Sequence, residues 1–142
     1  MKTILETTRE SGGFLILSKA IETAGLADLL KEAGPYTLFA PTDGAFSRLP
    51  AGAIDELMED PETLRMILRY HIVPEKLTLE MLVPKRYLST LDGEEVTVGE
   101  SVYGPLINDS NIITPDIECS NGIMHVVNYL LFPNKIRVRG GL

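Results

Sequence analysis

Apolar residues recur every three to four positions through the first half of this chain and every second position in much of its last third, so helices are predicted first and strands second. Ile4 and Leu5 open a short helix that Gly12 and Gly13 end. Phe14, Leu17, Ile21 and Ala24 mark one face of the next helix, and Gly25 stands where a left-handed stop is expected. Leu26, Leu29 and Leu30 form another short apolar face before Gly34-Pro35. Ala53, Ile54, Leu57 and Met58 pattern a further helix. Asp60-Pro61 then restarts the pattern, with Asp as cap and Pro at the first helical position, where its missing N–H costs nothing. Leu64, Ile67 and Leu68 form the apolar face that follows. Thr78 is placed to cap a short helix containing Leu79, Met81 and Leu82.

Between these helices, Tyr36 to Ala40 is β-prone and Pro41 stops it. Thr42 or Asp43 then caps a helix holding Ala45 and Phe46, which Leu49-Pro50 ends. Tyr70-His71-Ile72-Val73 reads as a strand running into Pro74. From Arg86 the chain turns to β structure. Tyr87 to Leu91 and Glu94 to Val98 flank Asp92-Gly93, a hairpin signal. Leu106-Ile107 and Ile112-Ile113 flank a turn at Asn108 to Asn111. Ile117-Glu118-Cys119 leads into a turn at Ser120-Asn121-Gly122, and Ile123 to Val127 alternates with period two.

Helices followed by antiparallel strands predict an α+β fold, not a doubly wound parallel sheet. No repeat or low-complexity linker interrupts the chain. One domain is expected over residues 1–142, with its core over about 3–133 and a basic tail over 134–142 carrying Lys135, Arg137 and Arg139.

Composition narrows the chemistry. Only 6% of the residues are aromatic and none is Trp, so the core rests on Leu, Ile, Val and Ala. The net charge of -7 repels nucleic acid and anionic lipid, and the basic tail is read as a solvated terminus. No run approaches the ~20 apolar residues of a membrane span. Charged residues interrupt Met1 to Gly13, unlike a secretory signal. The chain is therefore expected either to stay inside the cell or to be an excised piece of a longer secreted protein. Asn108-Asp109-Ser110 matches the glycosylation acceptor pattern, which matters only in a secretory pathway.

Candidate catalytic groups are few. Cys119 is the single cysteine, which excludes an internal disulfide, and its β-prone neighbourhood predicts a buried thiol. His71 and His125 have no ligand at a metal-binding spacing, so no metal site is expected. The chain lacks a Gly-x-Ser-x-Gly elbow and a phosphate loop. His125 alternates with Ile123 and Val127 and should share their buried face as a hydrogen-bonded core residue. His71 is expected to tie the helical layer to the sheet, with Asp43 as a candidate partner.

Three blocks together resemble the fasciclin domain family. Tyr36-Thr37-Leu38-Phe39-Ala40-Pro41-Thr42-Asp43-Gly44-Ala45-Phe46 is similar to its first signature, and Leu49-Pro50-Ala51-Gly52 to the stretch after it. Tyr70-His71-Ile72-Val73-Pro74 is similar to its tyrosine–histidine motif. Ser120 to Val127, running on to Leu130-Leu131-Phe132-Pro133, is similar to its closing signature, in which Asn121, Gly122 and His125 stand. The resemblance covers about Thr3 to Pro133. Two positions depart from the pattern: Gly44 where Glu or Ala is usual, and Asn128 where Asp is usual.

The resemblance implies helices packed on a wedge of two mostly antiparallel β-sheets. It also implies adhesion or matrix interaction with a protein or glycan partner, an extracellular or cell-surface location and no cofactor. Partner recognition in animal members maps onto Asp116-Ile117 and Tyr70-His71, an exposed acid beside an apolar anchor and the tyrosine–histidine pair. The residues alone leave open that Ile117 is core and Asp116 a turn residue. Two other functions remain beside adhesion: a small-molecule carrier with an apolar pocket, and an enzyme using Cys119 or a histidine.

Overall fold

The computed structural model describes residues 1–134; the basic cluster of Lys135, Arg137 and Arg139 lies outside them. Among the described residues six helices are formed: α1 (Ile4–Glu10), α2 (Leu15–Thr23), α3 (Asp43–Ser47), α4 (Ala53–Met58), α5 (Pro61–Arg69) and α6 (Leu79–Leu82), with one 3-10 turn at Leu29–Lys31. Seven strands are formed: β1 (Tyr36–Pro41), β2 (Ile72–Val73), β3 (Tyr87–Ser89), β4 (Glu95–Ser101), β5 (Gly104–Ile107), β6 (Ser110–Cys119) and β7 (Gly122–Val127). They pair in the order β2-β1-β7-β6-β5-β4-β3 and curl into a nearly closed wedge. The α+β expectation holds.

Helix starts follow their caps. Thr3 and Glu6 form a reciprocal capping box on α1. Thr42, Asp60 and Thr78 each accept a hydrogen bond from the backbone N–H three residues on. Helix α2 lacks a cap of its own at Phe14 and borrows one: Asp43 Oδ1 accepts the Ile16 N–H at 2.8 Å.

All but one of the strand pairs are antiparallel. The exception is β1 with β7, which run parallel from Tyr36 beside Gly122 to Pro41 beside Val127. These two strands are covered on both faces. Leu38, Ala40, Met124 and Val126 join a core built with α1, α2, α3, α4 and α5. Phe39 and Val127 point the other way, into a second core inside the wedge with Tyr70, Leu77, Leu82, Leu88, Val96, Ile107 and Leu131. Burial on two faces explains why β7 is apolar nearly throughout.

The closing signature binds these layers. Asn121 is buried, and its Nδ2 donates to Leu30 O at 2.8 Å and Glu32 O at 2.7 Å, while its Oδ1 accepts the Ile4 N–H at 2.9 Å. One amide thus holds the start of α1 and the end of the 3-10 turn. Gly122 follows because no side chain fits: a Cβ there would lie 1.9 Å from Tyr36 O.

Strand limits differ from the sequence reading: Tyr70 closes α5 and leaves only Ile72–Val73 as β2, and β3 stops at Ser89 short of Leu91. Pro41 ends β1 as its last residue instead of lying beyond it. Strand β4 runs on to Ser101 and turns through Val102 and Tyr103 into β5, a hairpin that no Asn-Gly or Asp-Gly pair announces.

Candidate functional site

The two histidines sit at the junction of the helical layer and the wedge, joined through Phe39. The Phe39 N–H donates to His71 O at 2.9 Å, and its ring stacks on His125 with centroids 5.8 Å apart. Both imidazoles are wholly buried. His71 Nδ1 donates to Ile67 O at 2.8 Å and Nε2 accepts the Leu131 N–H at 3.0 Å. His125 uses the opposite tautomer: Nε2 donates to Leu77 O at 2.7 Å and Nδ1 accepts the Asp116 N–H at 3.1 Å. Each ring therefore has one donor and one acceptor satisfied as a neutral group. Burial pushes His71 from its ordinary 6.5 down to about 4, and lowers His125 as well.

Asp43 is not the partner of His71. Its carboxylate caps α2 instead, because the short loop after β1 points it at the bare N-terminus of that helix.

Tyr70 is also interior. Its hydroxyl donates to Glu95 O at 2.9 Å and accepts from Asn108 Nδ2 at 3.0 Å, and burial raises its pKa. Tyr70 and His71 are 4% and 0% exposed, so a docking partner has no access to them in this conformation. Their hydrogen bonds tie the end of α5 to β4, the β5–β6 turn and the segment after β7. Asn108 is likewise occupied, since its Oδ1 accepts the Thr97 N–H at 2.8 Å. Ser110, the third acceptor residue, is buried with its hydroxyl donating to Tyr129 O.

Asp116 and Ile117 part company. Asp116 is exposed, on an irregular stretch of β6 with φ of 58°. Its Oδ1 accepts the Leu79 N–H at 2.8 Å, which fixes the start of α6. Ile117 is half-buried against the helix-side core. Cys119 is 3% exposed, touches the Thr7 hydroxyl, and has its thiol pKa raised by burial. The lowered pKa that would activate it as a nucleophile is not found.

A cleft of about 510 Å³ opens on the surface between α3, the β5–β6 turn and the segment after β7. Leu49, Leu130, Leu131 and Phe132 give it apolar walls, and Arg48, Asp109 and Tyr129 stand at it as polar groups. The Arg48 guanidinium lies 4.5 Å above the Tyr129 ring centre and donates to its hydroxyl at 2.9 Å. Sequence reasoning missed these residues because they come from three distant segments. The one local hint is the apolar run Leu130-Leu131-Phe132 continuing past the last strand.

Among the described residues, no group of three or more His, Cys, Asp or Glu could hold a metal ion, and no helix is long and apolar enough to cross a membrane. A model of the fasciclin domain matches residues 12–133. The chain belongs to the fasciclin domain family.

Several relatives match most of the chain. Two Synechocystis proteins, Protein sll1483 and protein sll1735, are each 35% identical to it over 92% of this chain, which spans 73% and 98% of their lengths. Transforming growth factor-beta-induced protein ig-h3 of Sus scrofa is 33% identical over 99% of this chain, which spans only 21% of that protein. The solved domain pair of the insect cell adhesion molecule Fasciclin I matches with a TM-score of 0.75 at 22% identity, over 94% of this chain and 52% of that one. That likeness shows the fold. The neutral Asn128 keeps its place in it: Oδ1 accepts the Asn111 N–H at 2.9 Å, a bond that needs an oxygen and no charge.

Proposed function

We propose that this fasciclin domain is a non-catalytic interaction module of the adhesion type, docking a protein or glycan partner at a cell surface or in a matrix. One observation carries the reading: its nucleophilic and imidazole groups are turned inward and hydrogen-bonded, while an acid and several apolar side chains stand in water. Cys119, His71 and His125 are buried, and Asp116, Val102, Tyr103 and Ile113 are exposed. Buried, neutral and satisfied groups serve packing, whereas exposed apolar residues and a carboxylate serve recognition. Membership of the fasciclin domain family supports the same reading.

The test is attachment of cells to a surface coated with the domain, with soluble domain as competitor. Attachment should be dose-dependent and reduced severalfold by Asp116→Asn. That change keeps the oxygen bonding Leu79 and suits the left-handed backbone at this position. No attachment above an uncoated surface would end the adhesion reading. Attachment that Asp116→Asn leaves unchanged would remove Asp116 from the contact.

The cleft favours a second reading as a carrier of a small apolar molecule, because its walls are Leu49, Leu130, Leu131 and Phe132. Native mass spectrometry of the purified chain decides it: a co-purified ligand supports carriage, and the bare chain mass opposes it.

A further inference from the structure

Two features stand at opposite ends of β5. The first is the tip of the β4–β5 hairpin, where Val102 and Tyr103 are 93% and 83% exposed. This tip is braced. The Ser101 hydroxyl accepts the Tyr103 N–H at 3.1 Å and donates to Gly104 O at 3.2 Å. Asn111 on β6 donates from Nδ2 to Ser101 Oγ at 3.0 Å, and to Gly104 O and Pro105 O at 3.4 and 3.5 Å. Asn111 is itself held through its backbone N–H and C=O by Asn128. A polar harness reaching to the end of β7 thus keeps two apolar side chains presented to water. Ordering them costs little further entropy on docking, which is the condition for an effective anchor.

The second feature is the cleft, with apolar walls of Leu49, Leu130 and Phe132 and the Arg48–Tyr129 stack at its lip. Strand β5 runs four residues from the tip toward the β5–β6 turn at the cleft, on the order of 13 Å. The short, braced hairpin therefore cannot fold back into its own cleft. Charges set the orientation of an incoming tip. Glu100 beside the tip is exposed and makes no ion pair among the described residues. It would be drawn to Arg48 on the α3 wall and repelled by Asp109 on the turn wall.

We propose that the Val102–Tyr103 tip of one copy seats in the Arg48–Phe132 cleft of a second copy, so that this chain self-associates head to tail. Tyr103 supplies the aromatic anchor, Val102 fills beside it, and Glu100 meets Arg48. The contact is heterologous, leaving every assembled copy at one end of a row with a free tip and at the other with a free cleft. It buries one hairpin tip, so association is weak and driven by concentration.

Sedimentation velocity over a broad concentration series tests this. The mean mass should rise above that of the monomer and continue past the dimer. Tyr103→Ser should weaken association about tenfold or more, the effect of losing one aromatic anchor. Arg48→Glu should weaken it too, and adding Glu100→Arg to that variant should restore it. Because the two surfaces differ, mixing Tyr103→Ser with Arg48→Glu should give dimers that neither forms alone. All three positions are exposed, so the variants keep the fold, which circular dichroism checks. A chain that stays monomeric throughout would leave the cleft to another occupant, either a small apolar ligand or residues 135–142, and would overturn the proposal. So would unchanged association in Tyr103→Ser, or no recovery in the charge swap.

Discussion

His71 Nε2 accepts the backbone N–H of Leu131 at 3.0 Å, across 60 residues of sequence. The same ring donates from Nδ1 to Ile67 O, four residues back in α5. A single imidazole therefore fastens the end of α5 to the segment that leaves β7. Both backbone groups lie where water cannot replace the ring.

Removing the ring leaves a void and two unpaired backbone groups. His71→Ala is expected to cost about 3 kcal/mol, the sum of a core cavity and lost buried hydrogen bonds. Urea unfolding at pH 7 measures it. A midpoint equal to that of the parent chain would mean that the ring is not a structural tie.

The same burial makes stability depend on acid. Unfolded, His71 takes up a proton as pH falls through 6.5; folded, it resists until about 4. Between those values the unfolded chain holds more protons, so stability rises with pH. The contribution is fully present above 6.5 and lost as pH falls to about 4, and that gap corresponds to about 3 kcal/mol. His125, lowered by burial too, acts in the same direction. Urea midpoints taken from pH 7 to pH 4.5 should fall steadily, with a shallower slope in His71→Ala. Equal slopes in the two chains would place the acid sensitivity elsewhere.

Two glycines should respond in opposite ways. Gly44 is exposed in the first turn of α3, and a Cβ there would meet only Thr42 Oγ1, at 3.5 Å. Gly44→Ala should stabilise the domain by about 0.5–1 kcal/mol, because it restricts the unfolded chain and suits a helix. Gly122→Ala would drive a methyl to 1.9 Å from Tyr36 O, on the parallel β1–β7 pair, and should abolish folding. Thermal melts of both variants distinguish the outcomes. A folded Gly122→Ala chain would show that β1 and β7 can separate there.

The sequence was most legible where local chemistry sets the backbone. Asp60-Pro61 starts α5, Thr78 caps α6, and Asp92-Gly93 turns β3 into β4, all from contacts within a few residues. The buried state of Cys119 and His125 followed from their apolar neighbours in strands. What periodicity could not convey is pairing at a distance. Nothing near Tyr36 says that it lies parallel to Gly122, and nothing near Asp43 says that its carboxylate ends on Ile16. The pair Val102-Tyr103 lacks a turn signature, so the braced hairpin was invisible. Tyr70 and His71 carry polar groups, yet partners at Glu95, Asn108 and Leu131 draw them inside.

The place of β7 has a kinetic meaning. It lies between β1 and β6, so the last strand of the described residues takes an interior place in the sheet. While the ribosome is still adding residues before 122, β1 has its β7-facing edge bare, with Leu38, Phe39 and Ala40 lacking the neighbours that bury them. Closure waits for nearly the whole domain, which gives it many contacts of high sequence separation and a nascent state with an open, sticky edge.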